Sequence, residues 1–470
     1  MRHTLIVGGG IAGLTAAYRL EQMGLPYTLI ESSSQCGGKL ATSRVDGFLV
    51  EGGPDSFSTF KPAAIELCRE LGLESELVSP NADARDVYVW FDGALRKLPP
   101  GLITMMPSHF GDFLRTDVLS LRGKIRLALE PFISARRGSE DESIASFIRR
   151  RLGPEVLERI ADPFMAGIFG GDPEDLSILA TFPQMAQMER SCGSMFRAML
   201  KSRRRGHSGR SPFVTLRGGM QTLTDALLSN IGEARIMLNR RVVRIYSERK
   251  HYVAILNTGE EMPAEDVILA TPAYITAHMV QGLDPALSTA LHNIEYASTA
   301  TVSLGFVQSE LPTLPRGSGY LIPNSQRRLA MGCTWTSSKF EERAPENTAL
   351  FRIFLGGTRS ESISRLEQDA LITIARDELA HTLGITASPI VSKVFRWPNA
   401  MPQYNVGHAQ HVAEIQQLVA AHPGLHLAGA AYKGSSVPDC IASGKAAAAE
   451  VIASAPVLTP KPSPIYSETL

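Results

Sequence analysis

The sequence predicts a protein of mixed α/β and α+β class, and three observations lead to this prediction. An apolar strand, a glycine-rich turn, a helix and a second strand follow one another within residues 5–31, as in a parallel βαβ unit. Residues 299–356 carry apolar or alternating runs, which predict an antiparallel sheet of about four strands. Residues 425–452 predict another strand, a glycine-bearing turn and an alanine-rich helix. Pieces of a parallel α/β domain therefore stand near both ends of the chain, with an antiparallel sheet between them.

The βαβ unit begins with a short apolar strand and a turn of the pattern G-x-G-x-x-G at Gly8, Gly10 and Gly13. The first glycine allows a tight turn, the second lets backbone amides approach a pyrophosphate, and the third lets the helix pack closely on the strand. Ile11 and Ala12 complete the turn, where the first N–H groups of the helix and its positive dipole end attract phosphate. The pattern therefore predicts a dinucleotide site.

Glu31 ends the second strand and lies about 20 residues beyond the glycine turn, where an acidic side chain accepts hydrogen bonds from ribose hydroxyls. The adjacent Ser32 is assigned to the same site. An acid here disfavours the 2′-phosphate of an NADP-type ligand. The alternative is a glycine turn without a ligand, and the strands, helix and acid in register argue against it.

Composition excludes several classes of function. The 470 residues include 47 basic and 47 acidic side chains, and this neutral balance argues against a nucleic-acid-binding protein. The five cysteines never form a C-x-x-C pair, which favours reduced thiols over disulfides or a zinc site. We find no leader-like N-terminus and no apolar stretch of about 18 residues. We therefore expect a cytoplasmic protein with no transmembrane anchor and no bound metal.

A second glycine pair and a lysine follow the second strand, at Gly37, Gly38 and Lys39. This spacing resembles the extended fingerprint of FAD-dependent oxidoreductases of the amine oxidase and protoporphyrinogen oxidase type, and dehydrogenases that bind only NAD lack it. The resemblance implies that the pair and the lysine lie against the FAD pyrophosphate. It adds a further segment to the expected FAD site, made of Gly52, Gly53 and Pro54.

Three later segments sharpen this resemblance. Residues 396–408 resemble the W-x-x-x-x-P-Q-Y-x-x-G-H segment of protoporphyrinogen oxidases, and residues 429–441 resemble their G-x-x-x-x-G-x-x-[VI]-x-x-C-I ending. Residues 163–172 match their P-x-x-x-G-[IV]-[YF]-x-G-D pattern. The motifs together cover the chain from Leu5 to Ile452. Within this family the sequence is most similar to the soluble Gram-positive type, which acts on coproporphyrinogen III.

The resemblance implies a p-hydroxybenzoate-hydroxylase-like architecture, with an FAD-binding Rossmann-type domain, an antiparallel-sheet substrate domain and a helical insertion domain. We expect the FAD-binding domain to be assembled from separated parts of the chain. The expected ranges are 1–78, 214–275 and 396–454 for the FAD-binding domain, 79–100, 181–213 and 276–395 for the substrate-binding domain, 101–180 for the helical insertion, and 455–470 for a tail.

The resemblance extends the FAD site to later segments. Val242 is expected to contact adenine through its backbone, Ala270 follows a strand that flanks the flavin, and Trp397 is expected to pack against flavin or substrate. Gly429 and Val437 represent the C-terminal segment. FAD is expected to be bound non-covalently.

The C-terminal segment departs from the broader flavin-enzyme pattern, in which an acid usually follows the strand glycine. Ala430 stands there instead, so neighbouring backbone amides must do more, with Asp439 as a candidate substitute. Cys440 raises the idea of a covalent flavin link. The family motif carries this cysteine without such a link, and buried cysteines usually act as small apolar residues.

A porphyrinogen carries carboxylates, so the resemblance implies cationic substrate-binding residues. Lys61 lies where related enzymes carry an arginine that pairs with a propionate, and it keeps the charge without the bidentate fork. Arg197 is the second candidate, because no acidic residue lies between Glu189 and Asp225 and the cations there would steer a polyanion. For residues 203–205 a solvated loop is the alternative. The cations of this window are Arg190, Arg197, Lys201, Arg203, Arg204, Arg205, Arg210 and Arg217.

The implied activity is the oxygen-dependent oxidation of coproporphyrinogen III to coproporphyrin III in heme biosynthesis, with release of hydrogen peroxide. Protoporphyrinogen IX is expected to be converted to protoporphyrin IX as well. FAD accepts the hydride, and no catalytic side chain is assigned. His408 is the candidate for a polar group near the flavin, with a structural histidine as the alternative.

Other functions and partners stay open at this point. The alternatives are another FAD-dependent oxidase of amine or carotenoid type, and a non-catalytic carrier of the same fold, like the GDP-dissociation inhibitors. The expected partners are the porphyrinogen and molecular oxygen, without nucleic acid. The sequence leaves open whether a downstream ferrochelatase docks. Peripheral membrane contact through the helices of 101–180 also stays open, although no strongly basic amphipathic stretch requires it.

Overall fold

The computed structural model describes residues 2–99, 111, 115–138, 140–202, 211–249 and 251–454. Three sets of residues with sequence expectations lie outside this part of the chain: the segment 101–110, the cations Arg203, Arg204, Arg205 and Arg210, and the tail 455–470. The described residues form two large sheets, three small sheets and a helical cluster.

A parallel sheet of five strands confirms the predicted Rossmann-type domain. Thr4–Val7 is buried along its whole length, as a strand covered on both faces must be, and it pairs with a strand on each side. The strands lie in the order Ile236–Met237, Tyr27–Ile30, Thr4–Val7, Asp266–Leu269 and Leu425–Leu427. Early, middle and late parts of the sequence thus make one sheet, as the resemblance implies.

Two helices beside this sheet are in close contact. Ile11–Gln22 packs against Val437–Ser454 so tightly that a Cβ atom on Gly444 would stand 2.1 Å from the carbonyl oxygen of Ala12. Only glycine permits this approach. The first helix of the chain is therefore held by one of the last elements described.

A second large sheet has seven strands: the four expected from residues 299–356 are present, and three more come from outside that range. Its order is Val391–Pro402, Tyr296–Val307, Thr348–Gly356, Ala330–Trp335, Gly319–Leu321, Val87–Phe91 and Ala94–Lys97. Pairing is antiparallel except between Val87–Phe91 and Gly319–Leu321. The sequence pattern concealed Val391–Pro402 because it contains two prolines, which sheets accept on edge strands such as this one.

Three small sheets surround these two. One is antiparallel and follows the chain directly, through Val242–Glu248, His251–Leu256 and Glu261–Ala264. The others are the hairpin Thr42–Val45 with Phe48–Glu51, and the set Phe57–Ser58, Phe213–Leu216 and Leu77–Val78.

A helical cluster with its own apolar core occupies the middle of the sequence, as predicted. Phe147 and Ile148 are fully buried in this core. The side chains of Ser120, Ser143 and Ser177 each begin a helix by accepting from the backbone N–H three residues on. The helices are Leu121–Ala128, Ile144–Arg151, Pro154–Val156, the π-helical Leu157–Ala161, Asp162–Phe169, Ile178–Thr181, Pro183–Cys192 and Met195–Ser202.

The last two helices belong to this cluster, although the sequence ranges assign them elsewhere. Met185 and Met195 are buried in the same apolar core as the preceding helices. We therefore propose residue 202, in place of 180, as the limit of the helical insertion.

The remaining helices cover the sheets. Gln368–Leu383 ends at Gly384, which takes φ 69°, a left-handed conformation typical of glycine at a helix end. Among the described residues, we find no helix with the length and apolar character needed to cross a bilayer. The other helices are Ala63–Glu70, Gln221–Asn230, Ala273–Val280, Pro285–His292, Thr336–Lys339 and His408–Ala420.

One fully buried ion pair holds the helical cluster together. Arg151 and Glu130 are both inaccessible to solvent and form an ion pair. The guanidinium of Arg151 also donates to the carbonyl oxygens of Ile133, at 2.8 Å, and Gly193, at 3.0 Å. The carboxylate of Glu130 accepts from the Met195 backbone N–H at 3.0 Å. Each charge thus has several partners, which compensates its loss of hydration.

Replacing Arg151 with methionine should lower the free energy of unfolding by about 3 kcal/mol, because the buried carboxylate would lose its ionic partner. Arg149→Met on the same helix is the matched control. Arg149 pairs with Glu174 where the two side chains are 49% and 52% exposed, and such pairs contribute at most about 1 kcal/mol. Urea unfolding followed by circular dichroism measures both variants. Equal losses would contradict a special role for the buried pair.

Candidate functional site

The first glycine turn has the geometry that the sequence predicts. Gly8 takes φ 107°, and a Cβ atom there would stand 2.9 Å from the carbonyl oxygen of Ala270. A Cβ atom on Gly13 would stand 1.9 Å from the carbonyl oxygen of Gly8. These contacts require glycine at both positions. They also bring Ala270, at the end of strand Asp266–Leu269, against the turn.

Open space lies beside Gly10. A Cβ atom on this glycine would meet no heavy atom of the described residues within 4 Å. Helix Ile11–Gln22 starts here without a side-chain cap, and Ile11, Ala12 and Gly13 form its first turn. Uncapped N–H groups at the positive end of a helix dipole, next to open space, suit a phosphate group.

Glu31 lies next to this turn, as predicted. Its carboxylate accepts from the backbone N–H of Gly9 at 2.6 Å and of Ser33 at 2.8 Å. Ser32 is exposed, and its hydroxyl donates to the same carboxylate at 3.2 Å. Burial, and secondarily the charge of Glu31, raises the pKa of the neighbouring Cys36 thiol to about 12. This thiol therefore stays protonated.

The second glycine pair packs directly on the first turn. The backbone N–H of Gly37 donates to the carbonyl oxygen of Gly9 at 2.8 Å. A Cβ atom on Gly38 would stand 3.2 Å from the Cα atom of Gly10. The ammonium of Lys39 donates to the carbonyl oxygen of Ala400, and it has no carboxylate partner among the described residues. Burial lowers the pKa of Lys39, as expected for an amine that lacks a counter-ion.

The third glycine segment completes the arrangement. A Cβ atom on Gly53 would stand 1.9 Å from the carbonyl oxygen of Lys39. The carbonyl oxygen of Gly52 accepts from Trp397 Nε1 at 2.8 Å, Arg352 Nη2 at 2.9 Å and Thr301 Oγ1 at 3.2 Å. Residues 8–13, 37–39 and 52–53 thus form one continuous surface, here called the glycine cradle.

Arg352 and its neighbours are missing from the sequence prediction. Arg352 Nη2 also donates to the carbonyl oxygen of Gly53 at 2.6 Å. Lys339 Nζ forms an ion pair with Asp55 at 2.8 Å. Burial alone would raise the pKa of Asp55, but Lys339 and Arg352 outweigh it and lower this pKa to about 2. No local signal could have found this network, because Arg352 is 300 residues from Gly52 along the chain.

Trp397 makes contacts within the protein and is not a freely placed ring. Besides its hydrogen bond to Gly52, its ring is stacked on Phe395, with 6.3 Å between centroids and 3° between planes. Phe395 in turn lies against Gly52, where a Cβ atom would stand 2.6 Å from the ring. Trp397 therefore supports the third segment of the glycine cradle.

The predicted C-terminal residues lie at the end of strand Leu425–Leu427 and at the start of helix Val437–Ser454. Gly429 takes φ 116°, and a Cβ atom there would meet no described heavy atom within 4 Å. Its backbone N–H donates to Ser443 Oγ at 3.0 Å. Val437 is buried at the start of helix Val437–Ser454. Val242 is buried too, at the start of strand Val242–Glu248.

The two predicted substrate cations lie in different surroundings. Lys61 Nζ forms an ion pair with Asp439 at 2.6 Å. Arg197 is exposed on helix Met195–Ser202, and within the described residues its guanidinium has no ion pair. None of the described contacts joins Arg197 to Lys61.

His408 has the features of a structural histidine. Its ring stacks on Tyr404, with 4.4 Å between centroids and 21° between planes, and only 7% of the residue is exposed. Burial, with a smaller contribution from His411, lowers the pKa of His408 to about 4. The imidazole is therefore neutral near pH 7. The hydroxyl of Tyr404 donates to the carbonyl oxygen of Ala430, which places this pair beside the C-terminal turn.

The donor set of the glycine cradle fits a bound dinucleotide. The uncapped helix start and the space at Gly10 suit phosphates, and the buried ammonium of Lys39 suits a neighbouring anion. Glu31 is an acceptor suited to ribose hydroxyls.

Comparisons with known proteins agree with this arrangement. The family model for flavin containing amine oxidoreductase matches residues 11–452. The coproporphyrinogen III oxidase of Bacillus subtilis (strain 168) is 35% identical over 96% of this chain and 98% of that protein. Protoporphyrinogen oxidase 2, chloroplastic/mitochondrial, of Arabidopsis thaliana is 26% identical over 96% of this chain and 94% of that protein. A crystal structure from Exiguobacterium sp. 255-15, provisionally named a protoporphyrinogen oxidase, has a TM-score of 0.85 at 29% identity, covering 96% of this chain and 98% of that one.

Gly10→Ala should leave the apoprotein fold intact and weaken FAD binding at least about tenfold, since the added methyl group would occupy the space beside the helix start. Gly232→Ala is the matched control, because a Cβ atom there also meets nothing within 4 Å. Flavin absorbance after titration with FAD measures the affinity, and circular dichroism checks the fold. Unchanged affinity in Gly10→Ala would contradict the assignment of this space to the cofactor.

Proposed function

Because the chain belongs to the flavin containing amine oxidoreductase family and is an FAD-dependent oxidoreductase, we propose that it oxidises coproporphyrinogen III to coproporphyrin III in heme biosynthesis. The observation that carries this proposal is the similarity to the Bacillus subtilis coproporphyrinogen III oxidase, which spans nearly the full length of both chains. The same similarity, extended to protoporphyrinogen oxidases, supports protoporphyrinogen IX as a second substrate.

The chain's own residues bind and orient in this proposal. Bound FAD supplies the chemistry by accepting a hydride from a carbon of the substrate. We assign the FAD pyrophosphate to the glycine cradle and the start of helix Ile11–Gln22, and the ribose to Glu31 and Ser32. The further FAD-contacting residues in this assignment are Pro54, Val242, Ala270, Trp397, Gly429 and Val437. No residue is assigned to a covalent link.

Oxygen and location complete the proposal. We propose molecular oxygen as the final electron acceptor, hydrogen peroxide as the second product, and the cytoplasm as the location. A downstream ferrochelatase is the proposed consumer of the porphyrin.

Leu121, Ile125 and Phe132 expose 74%, 55% and 80% of their surface on the helical cluster. These exposed apolar side chains support the helical cluster as the place for a peripheral membrane contact.

The test compares the two porphyrinogens side by side. Each is prepared anaerobically and mixed with enzyme and air, and porphyrin fluorescence is followed over time. We expect turnover of both, with the higher kcat/KM for coproporphyrinogen III. Reactions without enzyme control for spontaneous oxidation. Rates no higher than this control for both substrates would overturn the proposed function.

Lys61→Ala should raise KM for coproporphyrinogen III roughly twofold to fivefold, because a partly exposed ion pair with a propionate contributes up to about 1 kcal/mol. Lys97→Ala is the matched control, since Lys97 also forms a 2.6 Å ion pair and its side chain has the same 54% exposure as that of Lys61. Steady-state kinetics measures both variants. An unchanged KM in Lys61→Ala would remove this lysine from the substrate site.

His408→Gln should leave the shape of the pH profile of kcat unchanged between pH 6 and 9. A histidine whose pKa is about 4 stays neutral throughout this range and cannot supply the titration of a general acid or base there. The profile is recorded by porphyrin fluorescence for both enzymes. Loss of one limb of the profile in His408→Gln would assign His408 to proton transfer.

A further inference from the structure

The ion pair of Lys61 with Asp439 connects an exposed cation to a fixed acid. The ammonium lies 2.8 Å from one carboxylate oxygen of Asp439 and 2.6 Å from the other. The lysine side chain is 54% exposed, whereas the aspartate side chain is 15% exposed. The lysine can therefore turn toward an incoming ligand while the acid keeps its place.

Asp439 is held by the turn that precedes helix Val437–Ser454. The hydroxyl of Ser436 donates to Asp439 Oδ2 at 2.5 Å, and the backbone N–H of Ser436 points to the same oxygen at 3.3 Å. A Cβ atom on Gly434 would stand 2.4 Å from Asp439 Oδ2, so the backbone at Gly434 packs closely against this side chain. The acid thus stays in place whether or not Lys61 is paired with it.

A second observation places helix Val437–Ser454 beside the glycine cradle, because a Cβ atom on Gly444 would stand 2.1 Å from the carbonyl oxygen of Ala12. Burial raises the pKa of the Cys440 thiol to about 11, while the charges of Lys39 and Lys61 both act to lower it. Two lysines, one of them in the glycine cradle, therefore lie within electrostatic reach of one thiol. Next to Lys61, Phe60 exposes 61% of its surface. An exposed ring beside an exchangeable cation suits an apolar macrocycle that carries carboxylates.

We propose that Asp439 is a specificity-determining residue, which holds Lys61 while the site is free and gives it up to a carboxylate of the substrate. This inference rests on the proposed function and adds that the site selects substrates by their negative charge. Binding replaces one ion pair of Lys61 with another, so the lysine stays paired, and the Asp439 carboxylate keeps its hydrogen bonds from Ser436. An uncharged macrocycle offers no replacement for Asp439. A substrate with four propionates offers more ways to make the exchange than one with two.

The test uses Asp439→Asn, which removes the competing charge and keeps an acceptor for Ser436. KM for coproporphyrinogen III should fall roughly twofold to fivefold, and so should Kd for coproporphyrin III measured by fluorescence quenching. In the Lys61→Met background the same substitution should change neither value, because the cation is gone. Asp86→Asn is the matched control, since Asp86 forms a 2.6 Å pair with the equally exposed Lys97. It should have no effect.

Ser436→Ala tests the same idea in the opposite direction. Without the hydroxyl, the carboxylate of Asp439 should hold Lys61 more strongly, and KM should rise. A rise of KM in Asp439→Asn, or an equal fall in the Lys61→Met background, would overturn the proposal. So would an unchanged KM in Ser436→Ala, which decides the matter if Asp439→Asn does not retain FAD. An active wild-type enzyme with these results refutes this inference alone, whereas a wild-type enzyme that oxidises neither porphyrinogen refutes the proposed function.

Discussion

The carbonyl oxygen of Gly52 joins the glycine cradle to the seven-stranded sheet, and the geometry of the site depends on this contact. Its three donors come from neighbouring strands of the seven-stranded sheet: Thr301 from Tyr296–Val307, Arg352 from Thr348–Gly356 and Trp397 from Val391–Pro402. A buried donor that loses its acceptor costs about 1–3 kcal/mol. A shift of the Gly52 turn would therefore raise the free energy of the folded state, because three donors would lose their acceptor together. The seven-stranded sheet thus holds the glycine cradle in place at Gly52.

Cations in this protein fall into two groups. Arg151 and Arg352 are buried, and each donates to several carbonyl oxygens. They hold polar backbone in place and are not free to bind anything else. Lys39 contacts one carbonyl oxygen, and Lys61 is half exposed. A neutral total charge thus coexists with lysines that can respond to an anion, one in the glycine cradle and one at the start of helix Val437–Ser454.

Local patterns were sufficient for the βαβ unit, because the φ of 107° at Gly8 and the contact of Gly13 with the carbonyl oxygen of Gly8 both lie within the turn. The contact of Gly8 with Ala270 could not be read from the turn alone. The antiparallel sheet was recognised only in part, since the pairing of Val87–Phe91 with Gly319–Leu321 joins distant segments. Lys61 looked like a free cation because its partner is 378 residues away. Contacts between residues that are distant in the sequence cannot be recognised from the spacing of motifs. The three donors to Gly52, and Asp439 as the partner of Lys61, are examples.

The strand order of the parallel sheet has a consequence for the way the chain folds. Thr4–Val7 lacks one neighbour until Asp266–Leu269 has been synthesised, and that strand in turn waits for Leu425–Leu427. Helix Val437–Ser454 comes later still, although it packs on the first helix. Contacts of such large sequence separation form slowly, because long loops must close first. The nascent chain therefore lacks part of the parallel sheet, and the last helix that packs beside the glycine cradle, through most of its synthesis.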